Sequence, residues 1–168
     1  YDPEGLDIPA IRKHLSVRGA TLATFPEGNA KRISNGELLE LPVTMLVPAA
    51  LENQINANNA ERIRAEIIVE GANGPTTNEA DEILEKKGVV IGPDFLANSG
   101  GVIVSYFEWV QNIQSVSWNE DEVNAKLFEL ISRAFESVWD ISKEKDVTLR
   151  TGAYLIAVKR VVDAKKLR

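Results

Sequence analysis

The chain has 168 residues, 44% of them hydrophobic and 26% charged, and a formal net charge of −6. That length suggests one domain, burying roughly two-thirds of the surface its unfolded chain would expose. The acidic balance argues against nucleic acid as a partner, no apolar run nears the roughly 20 residues that span a bilayer, and no cysteine is present for disulfides, thiolate metal sites or nucleophiles.

The opening Tyr1-Asp2-Pro3-Glu4-Gly5 is no signal peptide and lacks an initiator methionine, so the chain is expected to begin inside a longer protein. Asp7 is placed to cap a helix over Ile8 to Val17, with Pro9 in its first turn. Thr21-Leu22-Ala23-Thr24-Phe25 reads as a weak strand. Ser34 and Glu37 have the spacing of a capping box before Leu38 and Leu39.

Three short apolar runs then follow: Val43-Thr44-Met45-Leu46-Val47, Glu66-Ile67-Ile68-Val69 and Val89-Val90-Ile91. They are rich in β-branched residues and do not alternate, as strands buried on both faces of a parallel sheet read. Their starts lie about 23 residues apart, room for one short helix per crossover. Residues 76 to 87 read as such a helix, with acids at its start, lysines at its end and Gly88 just beyond.

After Gly101 the chain has no proline and one glycine, Gly152. Residues 102 to about 117 read as one long helix. Asn119 can cap a second, with Val123, Leu127, Leu130, Ile131, Ala134, Phe135 and Val138 at helical spacing. Thr148 can start a third, with Tyr154, Leu155, Val158, Val161 and Val162 along one stripe. The expected architecture is a parallel α/β section over about 1–101 followed by a helical section over about 102–168.

In open parallel sheets ligands bind beyond the C-terminal strand ends. The segments there are Pro48 to Asn53, Glu70 to Thr77 and Gly92 to Gly101, all rich in small residues, amides, glycine and proline. Small residues let a flat ligand approach the backbone, and amides offer both donors and acceptors. Ordinary strand-to-helix turns are the plain alternative for any one loop; three in register at one sheet edge favour a ligand. Their low charge suits a ribose and nicotinamide better than a phosphate. No G-x-G-x-x-G and no P-loop occurs, and Gly100-Gly101 at a helix start is a weak anion signal. His14, the one histidine, suits packing or solvent better than catalysis. Asp81, Glu82 and Glu85 read as a solvated face. Tyr106, Phe107 and Trp109 could line a pocket but read better as aromatic core packing, and Glu108 needs a partner or water if buried.

These same loops resemble the glutamate dehydrogenase family, within the wider group of glutamate, leucine, phenylalanine and valine dehydrogenases. The matching stretches run from Leu46 to Glu52, from Val69 to Thr77, from Pro93 to Val102, and on through Ser105 to Asn112. The opening Tyr1 to Asp7 and the late Arg150 to Tyr154 also fit, so the resemblance covers essentially the whole chain. It implies an α/β fold with a Rossmann-like parallel sheet, incomplete at its N-terminal side, followed by C-terminal helices. Residues 1–168 would be the C-terminal portion of the NAD(P)-binding domain, with the N-terminal catalytic domain, its lysines and the glycine-rich turn upstream of Tyr1.

The implied reaction is reversible oxidative deamination of L-glutamate to 2-oxoglutarate and ammonia, with NAD or NADP as cofactor. By the same likeness Pro48, Ala49 and Ala50 pass near the adenosine side of the cofactor, Ala72 and Asn73 meet the nicotinamide ribose, and Asn98 lies beside nicotinamide and substrate. Val102 and Ser105 face the substrate side chain, with the Ser105 hydroxyl on its γ-carboxylate. A serine suits that task, since its O–H can donate one hydrogen bond. The resemblance further implies a cytoplasmic homohexamer when complete, no resident metal, and no turnover by this chain alone. The alternatives are a non-catalytic partner chain with the same fold and a dehydrogenase for another amino acid.

Overall fold

The structure, a computed structural model, describes residues 1–26, 28 and 30–167. These fall into two compact units, Tyr1–Glu40 and Leu41–Arg168.

In the first unit, the Asp7 carboxylate accepts a hydrogen bond from the Ala10 N–H and starts helix α1, Ile8–Leu15. Ser34 and Glu37 bond reciprocally and start α2, Asn35–Leu39, as their spacing predicts. That work holds the exposed Glu37 carboxyl below its usual pKa, through hydrogen bonds from the Ser34 backbone and side chain. The strand expected over Thr21–Phe25 is instead a 3-10 turn, Leu22–Thr24. Thr21 and Thr24 wrap the segment on itself: the Thr21 N–H donates to the Thr24 hydroxyl, which donates to the Thr21 carbonyl. Short-range bonds of this kind satisfy backbone groups that a strand would need a neighbour to satisfy. His14 has the packing role expected of it: its Nε2 lies 3.0 Å from the Thr24 hydroxyl and its ring meets Phe25 edge-on.

The second unit holds the sheet. Strands β1 (Met45–Leu46), β2 (Ile67–Val69) and β3 (Val90–Gly92) lie parallel in the order β1-β2-β3. Met45 pairs with Ile67, and Ile67 in turn with Val90. Ile68 on the middle strand is fully buried, a burial worth about 1.5–3 kcal/mol.

The two crossovers differ. The second carries α3, Asn78–Lys86, within the helix expected over residues 76 to 87, and Thr77 caps it. The first holds only a 3-10 turn, Ala60–Arg62, where the strand spacing left room for a helix. Its amides explain the difference. Asn59 Oδ1 accepts from the Asn56 N–H, Asn56 Oδ1 from the Asn58 N–H, and Asn59 Nδ2 donates to the Gln54 carbonyl. Such side chains offer the backbone an alternative to helix. Lys87 then donates to the Ala60 and Ile63 carbonyls, tying this turn to the end of α3.

The helical section starts two residues earlier than expected. A one-turn helix, α4 (Asp94–Ala97), leads almost directly into α5, Gly100–Gln114. Asn119 caps α6, Glu120–Lys145, and Thr148 caps α7, Leu149–Lys166. Helix α7 packs against α6 and β3. Leu96, Val138, Leu149 and Ala153 form one core, with Ala134 and Ile156 against it. The packed face of α7 is therefore Leu149, Gly152, Ala153 and Ile156, whereas Tyr154, Leu155, Val158, Val161 and Val162 are exposed. Gly152 selects that face. A Cβ there would lie 3.1 Å from Ile141 Cγ2 and 3.2 Å from the Val138 carbonyl, so any other residue would push α6 outward by a few tenths of an ångström.

A cleft at the C-terminal strand ends

Pro48, at the end of β1, is buried, and its carbonyl accepts from the Ala72 N–H at 2.9 Å. Gly71 brings the second loop against the first: a Cβ at this position would lie 2.9 Å from Ala49 Cβ and 3.3 Å from Ala49 Cα. Any side chain there would push Ala49 and its loop aside. Asn98 is the C-cap of α4, and its Nδ2 donates to Asn73 Oδ1 at 2.7 Å. Val102, in the first turn of α5, is 70% exposed.

Together these segments bound an open cleft of ≈ 740 Å³, lined by Ala50, Leu51, Glu52, Gly71, Ala72, Asn73, Asn98 and Val102. Five residues singled out from sequence thus meet in one place: Ala50, Ala72, Asn73, Asn98 and Val102. Pro48, buried, and Ala49, exposed, lie outside the lining; the Pro48 carbonyl holds the Ala72 N–H and Ala49 lies close to Gly71. Ser105 is exposed and lies outside the lining, one helical turn beyond Val102 on the same face of α5.

The lining has one charged residue, Glu52, and no lysine or histidine. Within the Asn73–Asn98 pair, Nδ2 of Asn73 and Oδ1 of Asn98 have no partner among the described residues. One donor and one acceptor beside small side chains fit a carboxamide or ribose edge of a flat ligand. The residues present therefore suit the nicotinamide end of a dinucleotide.

Behind the cleft lies a charge network. Glu70, fully buried, directly follows β2. Arg150, in the first turn of α7, donates to Glu70 Oε1 at 2.8 Å and to Asp81 Oδ2 at 2.8 Å. Glu70 Oε2 accepts the Asp94 N–H at 2.9 Å, and Asp94 Oδ2 accepts the Gly74 N–H at 2.8 Å. Burial opposes the charge on Arg150, but hydrogen bonds and attraction from Glu70 and Asp81 more than offset it and raise its pKa. Asp81 is thus an ion-pair partner, where helical spacing alone suggested a solvated face. This network has no local sequence signal, since Glu70 and Arg150 lie 80 positions apart. The one hint is an acid at the end of an otherwise apolar strand.

Two other expectations resolve simply. Glu108 is exposed and needs no buried partner. Core packing holds for Phe107, buried edge-on against Trp118, but not for Tyr106 and Trp109, which stack on each other in exposed positions on α5. Among the described residues no group of three or more His, Cys, Asp or Glu side chains is placed to hold a metal, and no helix is long and apolar enough to cross a membrane.

The sequence matches the family described as Glutamate/Leucine/Phenylalanine/Valine dehydrogenase over residues 1–168. It is 51% identical over its full length to glutamate dehydrogenase of Thermotoga maritima, covering 40% of that protein. It is 46% identical over its full length to an NAD-specific glutamate dehydrogenase of Staphylococcus aureus, again 40% of that protein. An NADP-specific glutamate dehydrogenase of Synechocystis is 48% identical over 98% of the chain and 40% of the relative. The chain thus spans about 40% of the length of the curated relatives it matches. Among solved structures, the hetero-hexameric glutamate dehydrogenase of Thermus thermophilus in its Leu-bound form matches all of this chain and 39% of its own, with a TM-score of 0.85 at 32% identity. The Rossmann-like α/β fold, the loops at the strand ends and the match over every residue make this chain a member of the Glutamate/Leucine/Phenylalanine/Valine dehydrogenase family.

Proposed function

We propose that residues 1–168 are the C-terminal portion of the NAD(P)-binding domain of a glutamate dehydrogenase, and that the cleft receives the nicotinamide end of the cofactor. The observation that carries this reading is the meeting of Ala72, Asn73, Asn98 and Val102 at the C-terminal ends of parallel strands. Ala72 and Asn73 would hold the nicotinamide ribose. Asn98 would lie between nicotinamide and substrate. Pro48, Ala49 and Ala50 would guide the chain of the cofactor toward its adenosine. Val102 and Ser105 would face the substrate side chain, with the Ser105 hydroxyl donating to the γ-carboxylate.

The bound nicotinamide supplies the hydride acceptor for oxidation at the amino-acid Cα. The cleft lining supplies small surfaces and amides that orient it, and no lysine or histidine to move a proton. The acid–base groups would therefore come from other residues of the complete protein. Its reaction would be reversible oxidative deamination of L-glutamate to 2-oxoglutarate and ammonia. Relatives named for NAD and for NADP are about equally similar to this chain, so both cofactors are carried in the proposal. A cytoplasmic homohexamer is the proposed form of the complete protein; the Thermus thermophilus neighbour, a hetero-hexamer, supports the number of subunits.

The test is cofactor reduction by the complete protein, offered glutamate, leucine, phenylalanine and valine with NAD and NADP separately. Strong preference for glutamate is expected, with no turnover by residues 1–168 alone. A folded complete protein inactive with all four would overturn the reading, and preference for another amino acid would reassign the substrate.

A further inference from the structure

We propose that Arg150 is a positioning residue for the cleft, acting through Glu70 and Asp94 to set the relative placement of Asn73 and Asn98. This rests on reading the cleft as the nicotinamide end of a dinucleotide site.

The links form a closed ring. Arg150 holds Glu70, which lies three residues before Asn73 and whose second oxygen binds the Asp94 N–H. Arg150 also approaches the Asp94 carboxylate at 3.7 Å, and that carboxylate binds the N–H of Gly74, the residue after Asn73. The Asp94 carbonyl in turn accepts the Asn98 N–H at 2.8 Å. The Asn73–Asn98 side-chain bond closes the ring inside the cleft. Asn73 therefore lies three residues after Glu70, and Asn98 one helical turn after Asp94, the two carboxylates that Arg150 meets in this ring.

Docking of α7 does not need this ring. Leu149, Ala153 and the close approach at Gly152 already seat the helix on α6. Burying a guanidinium and a carboxylate costs much of what their attraction returns, so the pair adds little net stability over an apolar contact. A planar fork on two carboxylates does fix direction and distance. Placement of the loops is what the network adds.

The decisive variant is Arg150→Lys in the complete protein. It keeps a charge for Glu70 but loses the fork, and so separates geometry from charge. Thermal unfolding and the KM for glutamate are expected to stay near wild type. The kcat is expected to fall by roughly tenfold to a hundredfold, the scale of a small misplacement of reacting groups. Amide exchange should rise in peptides covering residues 70–77 and 93–98, and not along α6. A folded Arg150→Lys protein with wild-type kcat would overturn the proposal, as would exchange rising evenly over α6 and α7, the mark of a docking role. Should Arg150→Lys fail to fold, Asp94→Ala is read by the same criteria, since it removes the Gly74 tether and leaves Arg150 with Glu70 and Asp81. Wild-type protein that binds neither NADH nor NADPH, followed by nicotinamide fluorescence, would remove the cleft reading and this proposal together. Wild-type binding with unchanged variants would remove this proposal alone.

Discussion

The cleft has two kinds of wall. The loops after β2 and β3 are locked from behind by charges, with Glu70, Asp81 and Asp94 gathered on Arg150. The loop after β1 has no such lock. It is set by the contact between Ala49 and Gly71, by the bond from the Ala72 N–H to the Pro48 carbonyl, and by the Asn53 N–H on the Gly74 carbonyl. The charge network draws on three carboxylates from different directions, whereas the β1 loop has one steric contact and two backbone hydrogen bonds. The amide-bearing wall is therefore the fixed one, and the β1 wall follows it.

That contrast can be broken at its strongest point. Glu70→Ala leaves a largely buried guanidinium with fewer partners and a hole beside it. A loss of roughly 3–5 kcal/mol is expected, measured by denaturant unfolding of the complete protein. A loss below about 1 kcal/mol, within the range of an exposed pair, would mean the lock is no stronger than a surface contact.

Ser105 belongs to neither wall, lying on the open face of α5. On the proposed role, Ser105→Ala removes one hydrogen bond to a charged group. The expected cost is about 1.5–3 kcal/mol in kcat/KM for glutamate. Unchanged kcat/KM would take Ser105 out of substrate recognition while leaving both walls as described.

The smallest effect is expected at the compliant wall. Gly71→Ala forces Ala49 aside and should cost about 1–2 kcal/mol of stability, the lower part of the range for overpacking, because the β1 loop can yield. Weaker binding of NADH or NADPH should accompany it. A loss as large as that of Glu70→Ala would show the β1 loop to be as rigid as its neighbours, and the distinction between the walls would fall.

What could be read in the sequence follows the range of the interaction. Asp7, Ser34, Asn119 and Thr148 each cap a helix within three residues of themselves, and each was legible. The three strands were legible to within two residues, because apolar β-branched runs bounded by glycine and proline have few other uses. Thr21–Phe25 has strand-like residues, yet the Thr21–Thr24 bonds curl it instead. The stripe seen on α7 is real as a pattern but is not the packed face, because Gly152 and Ala153, too small to weigh in a hydrophobic pattern, decide how closely α6 can approach. The cleft loops were legible through their composition and their likeness to a family. The Arg150 network was not, because nothing near Glu70 in the chain names its partner.

The 80-residue separation between Glu70 and Arg150 also has a consequence for synthesis. A chain made from its N-terminus exposes the strands and both crossovers to the cell well before α7 leaves the ribosome. During that interval the carboxylate destined for burial lacks Arg150, and keeping it in water is cheaper than closing the loops over it. The loops that form the cleft are therefore expected to settle late in this unit, although they are encoded near its middle.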